Sequence, residues 1–531
     1  MLRNPNYICE SSNIDVPSHL NFGKFIIDCM KEHGNKLAII NGVTHKATHF
    51  NEITHASMNI AVSLVQHGVR KGDVIAVCME NRDEFWEIVI GSSCTGSVVT
   101  PVNMGYTFDE MKHVLDISKP KYMFCSPLAY KSHEKTFYAL PYIKDIITIS
   151  ERFPNSVYFD DLVKDCSVNY ELFEPIGVDG QTDTAFVLYS SGTTGMPKGV
   201  MLTHLNIIAT CNLKQSTDSN ELTMFITPWY HTMGLLGVMR CLRNAGPVVY
   251  IPKFETNLYL RTVERYKIPQ LVVAPPVLIA ITKCKAEYDV SSVNIIYSGA
   301  APLRVDTIKE ARQRFKNIKA ILQGYGMTEA TLAFIRDTVD MAHLSKAGGV
   351  GFVVKGCVVK VVDVDTGTPL GPNKPGEIRM KGSMAMKGYI GKELKEDFDE
   401  EGFYKTGDIG YYDDDKCFFI VDRLKELIKY KGYQVPPAEI EAVLLQHPGV
   451  LDSGVIGVPH EAGGEVPRAF VVRQPGATVS EEEICSFVAS KLSNPKHLRG
   501  GVKFVNEIPK NPSGKILRKR LREMTQLKSK I

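Results

Sequence analysis

The sequence has few features of secreted, membrane-spanning or nucleic-acid-binding proteins. Its 12 cysteines in 531 residues lie singly, with no C-x-x-C pair, so neither a disulfide framework nor a cysteine-based metal site is expected. The net charge is only +3, which gives no reason to expect a nucleic acid as partner. No run suits a transmembrane helix, because residues 85–102, the nearest case, contain Glu87 and Ser92 and predict a buried helix and turn. We therefore expect reduced thiols, an intracellular location and no integral membrane segment.

The order of apolar and polar segments is typical of an α/β fold, in a chain long enough for at least two domains. From about residue 180 to 330, short apolar runs alternate with amphipathic ones, and this alternation predicts parallel β-sheets. In such folds ligand-binding groups lie in the loops beyond the carboxyl ends of the strands. Strands are predicted at residues 185–189, 271–274, 293–297 and 320–323, and a helix at residues 305–315.

The rest of the chain predicts two further parts. After about residue 350, short β segments alternate with turn residues and predict a β-rich subdomain. From Pro436 onward helices and strands alternate again, and Ser480 with Glu483 has the pattern of a capping box at a helix start. These segments predict a small α+β C-terminal domain that starts near residue 423. Its helices are expected at residues 440–446, 480–491 and from about 515, and its strands at 453–458, 469–472 and 502–506.

A loop rich in glycine and hydroxyl groups follows the strand predicted at residues 185–189. Residues 189–199 read Tyr-Ser-Ser-Gly-Thr-Thr-Gly-Met-Pro-Lys-Gly, so backbone N–H groups and hydroxyls can surround a polyphosphate while Lys198 adds a positive charge. The spacing is neither that of a P-loop nor that of a dinucleotide-binding loop. A plain surface loop would not explain hydroxyls and a lysine directly after a buried strand. The predicted phosphate-binding residues are Ser190, Ser191, Gly192, Thr193, Thr194, Gly195 and Lys198.

Five motifs together resemble one enzyme superfamily. Besides the loop at 189–199, they are Gly-Tyr-Gly-Met-Thr-Glu at 324–329, Tyr-Lys-Thr-Gly-Asp at 404–408, Asp-Arg-Leu-Lys at 422–425 and Asn-Pro-Ser-Gly-Lys at 511–515. Over nearly its whole length the chain resembles acyl-CoA synthetases, firefly luciferases and peptide-synthetase adenylation domains. Within this superfamily it is most similar to the branch of 4-coumarate:CoA ligases, medium-chain acyl-CoA synthetases and luciferases. The resemblance implies an acid-thiol ligase that uses ATP and Mg²⁺ to convert a fatty or aryl acid to its acyl-adenylate and then transfers the acyl group to coenzyme A.

The resemblance also implies the domain boundaries. Residues 1–421 would form an N-terminal AMP-binding domain with parallel-sheet α/β subdomains and a β-rich subdomain. Residues 422–425 would form a hinge around Lys425, and residues 426–531 a small, mobile α+β C-terminal domain. Rotation about the hinge is expected to separate the two half-reactions.

Three residues after the hinge are implied in the second half-reaction. Lys429 resembles the lysine that the family uses for thiolysis, and Lys431 with Gly432 resembles the segment beside the coenzyme A channel. For Lys431, a basic residue on an edge strand is an equally good interpretation.

The motif at residues 324–329 is implied in nucleotide and metal binding. Tyr325 can stack on adenine, and Gly324 allows a close approach of the backbone. Thr328 can donate a hydrogen bond to the α-phosphate, and Glu329 offers the hard oxygen ligand that Mg²⁺ prefers. Taken alone, a packed tyrosine and a surface glutamate would be a plausible alternative.

Three charged residues are implied in ribose binding and adenylation. The Asp408 carboxylate suits the two ribose hydroxyls, and Arg423 is expected to contact ribose or phosphate. Lys515 resembles the lysine that bridges the attacking carboxylate and the α-phosphate, where it relieves the repulsion between two anions. The other cations nearby are predicted to form a solvated helix face: Arg518, Lys519, Arg520 and Arg522.

The acyl pocket is implied by two further segments. His231 matches a family residue thought to gate the pocket or polarise the carboxylate, although a lone histidine among apolar neighbours is more often a core residue. Ser298, Gly299 and Ala300 resemble a strand end that lines the acyl tunnel, where small residues keep it open. An aliphatic or aryl acid of open chain length is favoured by the apolar residues Trp229, Met233, Leu235, Leu236 and Leu332.

Two other functions and one location are kept open by the sequence. A luciferase-like enzyme would oxidise the adenylate, but Met233 stands where an aromatic residue would be expected in a luciferin pocket. A non-catalytic member would bind nucleotide or acyl groups only. The last residues, Ser529-Lys530-Ile531, differ from a peroxisomal Ser-Lys-Leu signal only at the final position, so we expect recognition by the peroxisomal import receptor; without it the protein would be cytoplasmic.

Overall fold

The computed structural model describes most of the chain. The described residues are 4–10, 16–164, 166, 168–190, 196–213, 221–301, 303, 305–431, 433–460, 464–510 and 514–526. Some of the predicted functional residues lie outside this part, namely Ser191, Gly192, Thr193, Thr194, Gly195, Gly432 and the three C-terminal residues.

The helices of the described residues are mostly two to four turns long. They are α1 (Phe22–His33), α2 (Phe50–Gln66), α3 (Glu84–Cys94), α4 (Phe108–Ser118), α5 (Pro127–Tyr138), α6 (Phe159–Val163), α7 (His204–Cys211), α8 (Thr232–Arg243), α9 (Thr256–Tyr266), α10 (Pro275–Lys283), α11 (Val305–Arg314), α12 (Pro437–Leu444), α13 (Glu481–Lys491) and α14 (Arg518–Gln526). Among the described residues, no helix is long and apolar enough to cross a bilayer.

The strands are short except near the C-terminus. They are β1 (Tyr7–Cys9), β2 (Leu37–Asn41), β3 (Ala47–His49), β4 (Val74–Cys78), β5 (Val98–Val102), β6 (Tyr122–Cys125), β7 (Asp145–Thr148), β8 (Val157–Tyr158), β9 (Thr184–Ser190), β10 (Lys198–Thr203), β11 (Thr223–Phe225), β12 (Val248–Tyr250), β13 (Gln270–Val273), β14 (Ile295–Ser298), β15 (Ala320–Gly326), β16 (Ala333–Arg336), β17 (Phe352–Val353), β18 (Cys357–Val362), β19 (Gly376–Gly382), β20 (Gly388–Tyr389), β21 (Tyr404–Tyr412), β22 (Phe418–Arg423), β23 (Ile428–Tyr430), β24 (Tyr433–Val435), β25 (Val450–His460), β26 (Gly464–Arg473) and β27 (Val502–Phe504).

The chain divides into two compact units. The larger unit comprises the described residues of Ile8–Val359 and Met380–Tyr404, and the smaller one those of Met1–Tyr7, Lys360–Arg379 and Lys405–Ile531. The boundaries predicted at residues 421 and 426 mark where one domain would rotate against the other, whereas the two units are defined by which residues pack together. The predicted boundaries therefore stay a prediction.

The larger unit contains two large sheets. The first has the strand order β20-β10-β9-β5-β4-β6-β7-β8, and the second has the order β17-β16-β15-β14-β13-β11-β12-β2-β3. Their central strands are parallel, as in the pairs β4/β5 and β13/β14, while antiparallel strands close the edges, as in β9/β10 and β15/β16. Strands such as β4 and β6 are almost wholly buried and apolar, as expected when helices cover both faces of a parallel sheet.

The smaller unit is richer in antiparallel strands. Strands β1, β18, β19, β21 and β22 form a five-stranded sheet that belongs chiefly to this unit. A second sheet has the order β24-β23-β26-β25, with β27 parallel to β26. Its core contains buried residues of both sheet and helices, including Val455, Phe470, Ile484 and Leu521.

Most of the predicted elements are confirmed. Strands β9, β13, β14 and β15 and helix α11 lie within a few residues of their predicted positions. Residues 85–102 form α3 and β5 rather than one long apolar helix. At α13, the Ser480 hydroxyl accepts a hydrogen bond from the Glu483 N–H at 3.2 Å, as the capping pattern predicted. The α/β class with a β-rich part and a small α+β C-terminal part is therefore correct.

Candidate active site

The predicted phosphate loop begins and ends on a pair of antiparallel strands. Ser190 is the last residue of β9, Lys198 is the first residue of β10, and the two are direct partners in the ladder. The Ser190 hydroxyl is buried and has no hydrogen-bond partner in the described part of the chain. A desolvated hydroxyl without a partner is costly, so an oxygen-rich ligand at this strand end would stabilise it.

A buried tyrosine joins the phosphate-loop lysine to the predicted metal ligand. The Lys198 Nζ lies 4.7 Å from the centroid of the Tyr389 ring, and the Tyr389 hydroxyl donates a hydrogen bond of 2.7 Å to Glu329 Oε1. The hydroxyl of Tyr404 lies 3.3 Å from that of Tyr389. Burial and the nearby Glu329 charge raise the pKa of both tyrosines, so both remain protonated donors. Lys198 and Glu329, separated by 131 positions, thus contact the same ring system.

Tyr389 was missed by the sequence analysis. It lies in the two-residue strand β20, which pairs with β10 through Val200, and no motif surrounds it. A buried tyrosine near a glutamate is visible only once the sheet order is known.

The predicted adenine-binding residues lie on β15. Gly324 and Tyr325 pair with Arg336 and Ile335 of β16, and the Tyr325 ring packs edge-on against Phe334 at 5.1 Å. A Cβ atom at Gly324 would lie 3.3 Å from the Arg336 Cβ, so glycine leaves room where two strands approach closely. Thr328 and Glu329 follow in a short 3₁₀ turn, and Glu329 is buried.

The predicted acyl-pocket residues converge from β14, β15 and α8. Ser298 ends β14, and its hydroxyl is buried without a hydrogen-bond partner among the described residues. A Cβ atom at Gly299 would lie 3.7 Å from the Met233 Cε and 3.9 Å from the Gly324 carbonyl oxygen. Ala300 has a φ of 73° and is exposed. Gly299 therefore lies between the thioether of α8 and the backbone of the adenine motif.

His231 precedes α8 and is neutral at physiological pH. Its side chain is exposed to solvent, yet the surrounding protein desolvates the imidazole and lowers its pKa to about 4. This combination suits a group that faces a water-filled recess. A neutral imidazole can donate one hydrogen bond to a carboxylate, but it brings no positive charge.

Three apolar residues that favoured an aliphatic or aryl acid belong to the core instead. Trp229, Leu235 and Leu236 are fully buried. The Trp229 ring lies 5.1 Å from Trp86 and 4.8 Å from Tyr250. Of the predicted apolar set on α8, Met233 alone is partly exposed.

In the smaller unit, Asp408 and Arg423 form a cross-strand ion pair. They are direct partners in the β21/β22 ladder, and Arg423 Nε lies 3.1 Å from Asp408 Oδ1. Asp408 is only 4% exposed, so its remaining oxygen is held in a fixed position. The sequence analysis did not predict this ion pair, because the two residues are brought together by the register of β21 against β22.

Lys515 is a partly buried lysine with an unusually acidic ammonium group. Burial and the charge of Arg423 lower its pKa to about 8, while Glu426 and Asp408 oppose the shift. The structure thus brings Lys515, Asp408 and Arg423 into one electrostatic cluster. Gly514, which precedes the lysine, has a φ of 86°, a value that favours glycine.

The prediction that Arg518 lies on a solvated helix face is wrong. Its side chain is 8% exposed and pairs with Glu441 at 2.9 Å and Glu426 at 3.1 Å. Its Nε also donates to the Val455 carbonyl. The sequence pattern did not show that Arg518 is buried, because its partners Glu426 and Glu441 lie elsewhere in the chain. A run of cations has the same pattern whether its members are solvated or buried. Lys519, Arg520 and Arg522 are exposed, as predicted.

The predicted hinge residue Lys425 and two residues implied in the second half-reaction, Lys429 and Lys431, are solvent-exposed. Lys425 lies in the turn between β22 and β23, and Lys429 lies in β23, where its backbone N–H donates to Glu465. Lys431 has a φ of 47°. Their roles stay predictions.

Comparisons with known proteins find relatives over nearly the whole chain. Residues 28–390 match the family described as AMP-binding enzyme, and residues 439–515 match its C-terminal domain. A luciferin 4-monooxygenase of Nipponoluciola cruciata is 38% identical, with 92% of this chain and 91% of that protein covered. A 4-coumarate–CoA ligase of Petroselinum crispum is 37% identical, with 96% and 95% covered. The crystal structure of ATP-bound MatB from Rhodopseudomonas palustris superposes with a TM-score of 0.85 at 28% identity, covering 96% of this chain and 99% of that one.

Proposed function

Because the chain belongs to the AMP-binding enzyme family, we propose that it is an AMP-forming carboxylic acid:CoA ligase. The observation that carries the proposal is the cluster of Lys515, Asp408 and Arg423, which combines a desolvated ammonium group with a buried carboxylate. Relatives named 4-coumarate–CoA ligase, similar over nearly their whole length, support the same reaction.

In the first half-reaction a carboxylate oxygen forms a bond to the α-phosphorus of ATP, and the bond to pyrophosphate breaks. The proposed role of Lys515 is to neutralise charge where the two anions meet. Asp408 would accept hydrogen bonds from the ribose hydroxyls. In the larger unit, Ser190 and Lys198 would contact the phosphates, and Tyr325 would stack on adenine.

The side chains near Glu329 fit a magnesium ion. Mg²⁺ keeps several waters and is often bound by one or two carboxylates together with substrate phosphates. Within the described residues no group of three or more His, Cys, Asp or Glu could hold a metal on its own, so Glu329 would act with the nucleotide. When bound, the ion would neutralise phosphate charge. Tyr389, by donating to Oε1, orients the carboxylate for this role.

In the second half-reaction the coenzyme A thiolate attacks the acyl carbonyl and AMP leaves. Lys429 is the proposed lysine for this step, and its exposure in β23 leaves it accessible to a large substrate. Lys425 is the proposed hinge residue.

The test is pyrophosphate release from Mg-ATP with a panel of fatty and aryl acids, with and without coenzyme A, and with products identified by mass. Acyl-CoA and AMP are the expected products. Pyrophosphate without acyl-CoA would contradict the choice of acceptor. Confirmed ATP binding without turnover of any acid would favour a non-catalytic member.

A luciferase-like oxygenase is the second candidate, because relatives named luciferin 4-monooxygenase are 38% identical. Met233, whose Cε would lie 3.7 Å from a Cβ atom at Gly299, offers a flexible thioether instead of an aromatic surface for a planar luciferin. Light emission and oxygen uptake with luciferin and Mg-ATP would support it.

We also propose peroxisomal import through the C-terminal tripeptide Ser529-Lys530-Ile531. The support is its likeness to a receptor-read address.

A further inference from the structure

A strained turn follows the predicted metal ligand Glu329. Thr331, two residues later, has a φ of 64° and a ψ of −44°, and the Leu332 N–H donates a hydrogen bond of 2.6 Å to the Ala330 carbonyl. These features define a γ-turn of the rare positive-φ form, with Thr331 at its centre. A β-branched residue is an outlier at such a φ, where glycine meets no steric penalty. The chain therefore keeps an unfavourable residue at this point.

The strain at Thr331 is held by a buried hydrogen bond. Thr331 is fully buried, and its hydroxyl donates a hydrogen bond of 2.6 Å to the Met384 carbonyl. Its backbone N–H donates to the Thr328 carbonyl at 3.0 Å, at the end of the 3₁₀ turn of residues 328–330. Strained backbone persists only where the surrounding structure holds it, and such residues cluster at functional sites. Here the held turn is the one that carries Glu329.

One short stretch of chain contacts both the backbone and the side chain of this turn. The Met386 N–H donates to the Glu329 carbonyl at 2.9 Å. The Tyr389 hydroxyl donates to the Glu329 carboxylate at 2.7 Å. Together with the bond from Thr331 to Met384, these contacts fix Glu329 relative to a single stretch of chain.

That stretch is anchored in turn to the strand that returns from the predicted phosphate loop. The Nδ2 of Asn206 donates to the Ser383 and Ala385 carbonyls at 2.8 and 2.9 Å. Asn206 lies in α7, where its Oδ1 accepts the N–H of Thr203, the last residue of β10. An amide group bonded to two carbonyls leaves the stretch little freedom, so the acceptor of the Thr331 hydroxyl has a fixed position.

We propose that Thr331 is a positioning residue for magnesium: its bond to the Met384 carbonyl keeps the strained turn, and the turn keeps the Glu329 carboxylate in place for the ion. The inference rests on the proposed binding of Mg-ATP and adds no ligand to the ion. Carboxylates that bind a metal are themselves oriented by supporting hydrogen bonds. Without the hydroxyl, the turn relaxes toward ordinary dihedral angles, and this relaxation moves Glu329 relative to Tyr389.

The test measures ATP binding by calorimetry over a series of Mg²⁺ concentrations, so it requires no turnover. Thr331→Val removes the hydroxyl and keeps the branch, and it should raise the Mg²⁺ concentration for the half-maximal gain in ATP affinity by about 10- to 100-fold, the usual effect of losing a supporting contact. Thr331→Ser keeps the hydroxyl and should restore the native Mg²⁺ dependence. The matched control is Thr54→Val in α2, which should leave that dependence unchanged, since the buried Thr54 hydroxyl also donates to a carbonyl, that of Phe50 at 2.7 Å.

Three outcomes would overturn the inference and leave the proposed function intact. They are an unchanged Mg²⁺ dependence in Thr331→Val, an equal shift in Thr54→Val, or an equal loss of ATP affinity with and without Mg²⁺, which would indicate a structural role only. If Thr331→Val does not fold, Thr331→Gly decides and should show the same rise, because glycine adopts a φ of 64° at no steric cost and also lacks the hydroxyl. No binding of Mg-ATP by the native chain would contradict the proposed function, and this inference with it.

Discussion

At the residue scale, the proposed role of Lys515 depends on its charge, and that charge depends on pH. Its ammonium form dominates below a pKa of about 8 and is lost above it, because burial and Arg423 disfavour the charge. A lysine that must carry charge in the transition state therefore imposes an upper pH limit on the step it serves.

Lys515→Ala should abolish adenylation and spare thiolysis of supplied acyl-adenylate, because only the first step joins two anions. Exchange of labelled pyrophosphate into ATP measures the first step, and acyl-CoA formation from synthetic acyl-adenylate measures the second. Lys519→Ala, on the exposed face of α14, is the control and should leave both unchanged. Equal loss of the two steps would contradict this division of roles.

The adenylation rate of the native enzyme should fall about tenfold per pH unit above pH 8, since the fraction of charged Lys515 falls in that proportion. Pyrophosphate exchange between pH 6 and 10 gives the profile. In Lys515→Arg the guanidinium stays charged, so any remaining activity should show no such alkaline limb. A native limb that persists unchanged in this variant would assign it to another group.

Tyr389 gives the third prediction at this scale. Tyr389→Phe keeps the ring next to Lys198 but removes the hydrogen bond to Glu329 Oε1. A hydrogen bond to a charged group contributes about 1.5–3 kcal/mol, so kcat/KM for Mg-ATP should fall roughly 10- to 150-fold. Tyr411→Phe is the control, because its ring stacks on Phe419. An unchanged dependence on magnesium concentration in Tyr389→Phe would show that Tyr389 does not orient the carboxylate.

At the scale of elements, Arg518 joins three parts of the smaller unit. It begins α14, pairs with Glu441 of α12, and donates to the carbonyl of Val455 in β25. Glu441 in turn accepts the Val455 N–H at 2.8 Å. The same arginine pairs with Glu426, three residues from Arg423, so the network also fixes the segment beside the Lys515 cluster.

Arg518→Met should destabilise the smaller unit by about 3–5 kcal/mol, because it leaves the buried Glu441 and the partly buried Glu426 without this counter-charge. Hydrogen exchange of peptides from α12 and β25 measures the local opening free energy without interference from the larger unit. Combining it with Glu441→Leu should recover part of the loss, since a buried pair can be replaced by apolar residues. Arg520→Met, on the exposed face, should change stability by less than about 0.5 kcal/mol.

At the scale of the whole molecule, local patterns predicted the elements but not their partners. The alternation of apolar and amphipathic segments was enough to place β9, β13 and β14, because burial on both faces leaves a continuous apolar run. Pairing between β2 and β12, more than 200 positions apart, has no local signature. Tyr389 was missed for the same reason, because sheet order brings it to its partners and no spacing in the sequence records that order.

The C-terminal tripeptide bears on where the whole chain is located in the cell. If the import receptor reads Ser529-Lys530-Ile531, an N-terminally labelled chain with a free C-terminus should coincide with a peroxisomal marker, and removal of these three residues should make it diffuse. Ile531→Leu is the matched control, since it restores the usual tripeptide and should give import at least as efficient as the native chain. A diffuse native chain beside an imported Ile531→Leu variant would mean that a branch at the β-carbon is not accepted by the receptor, and the protein would then work in the cytoplasm.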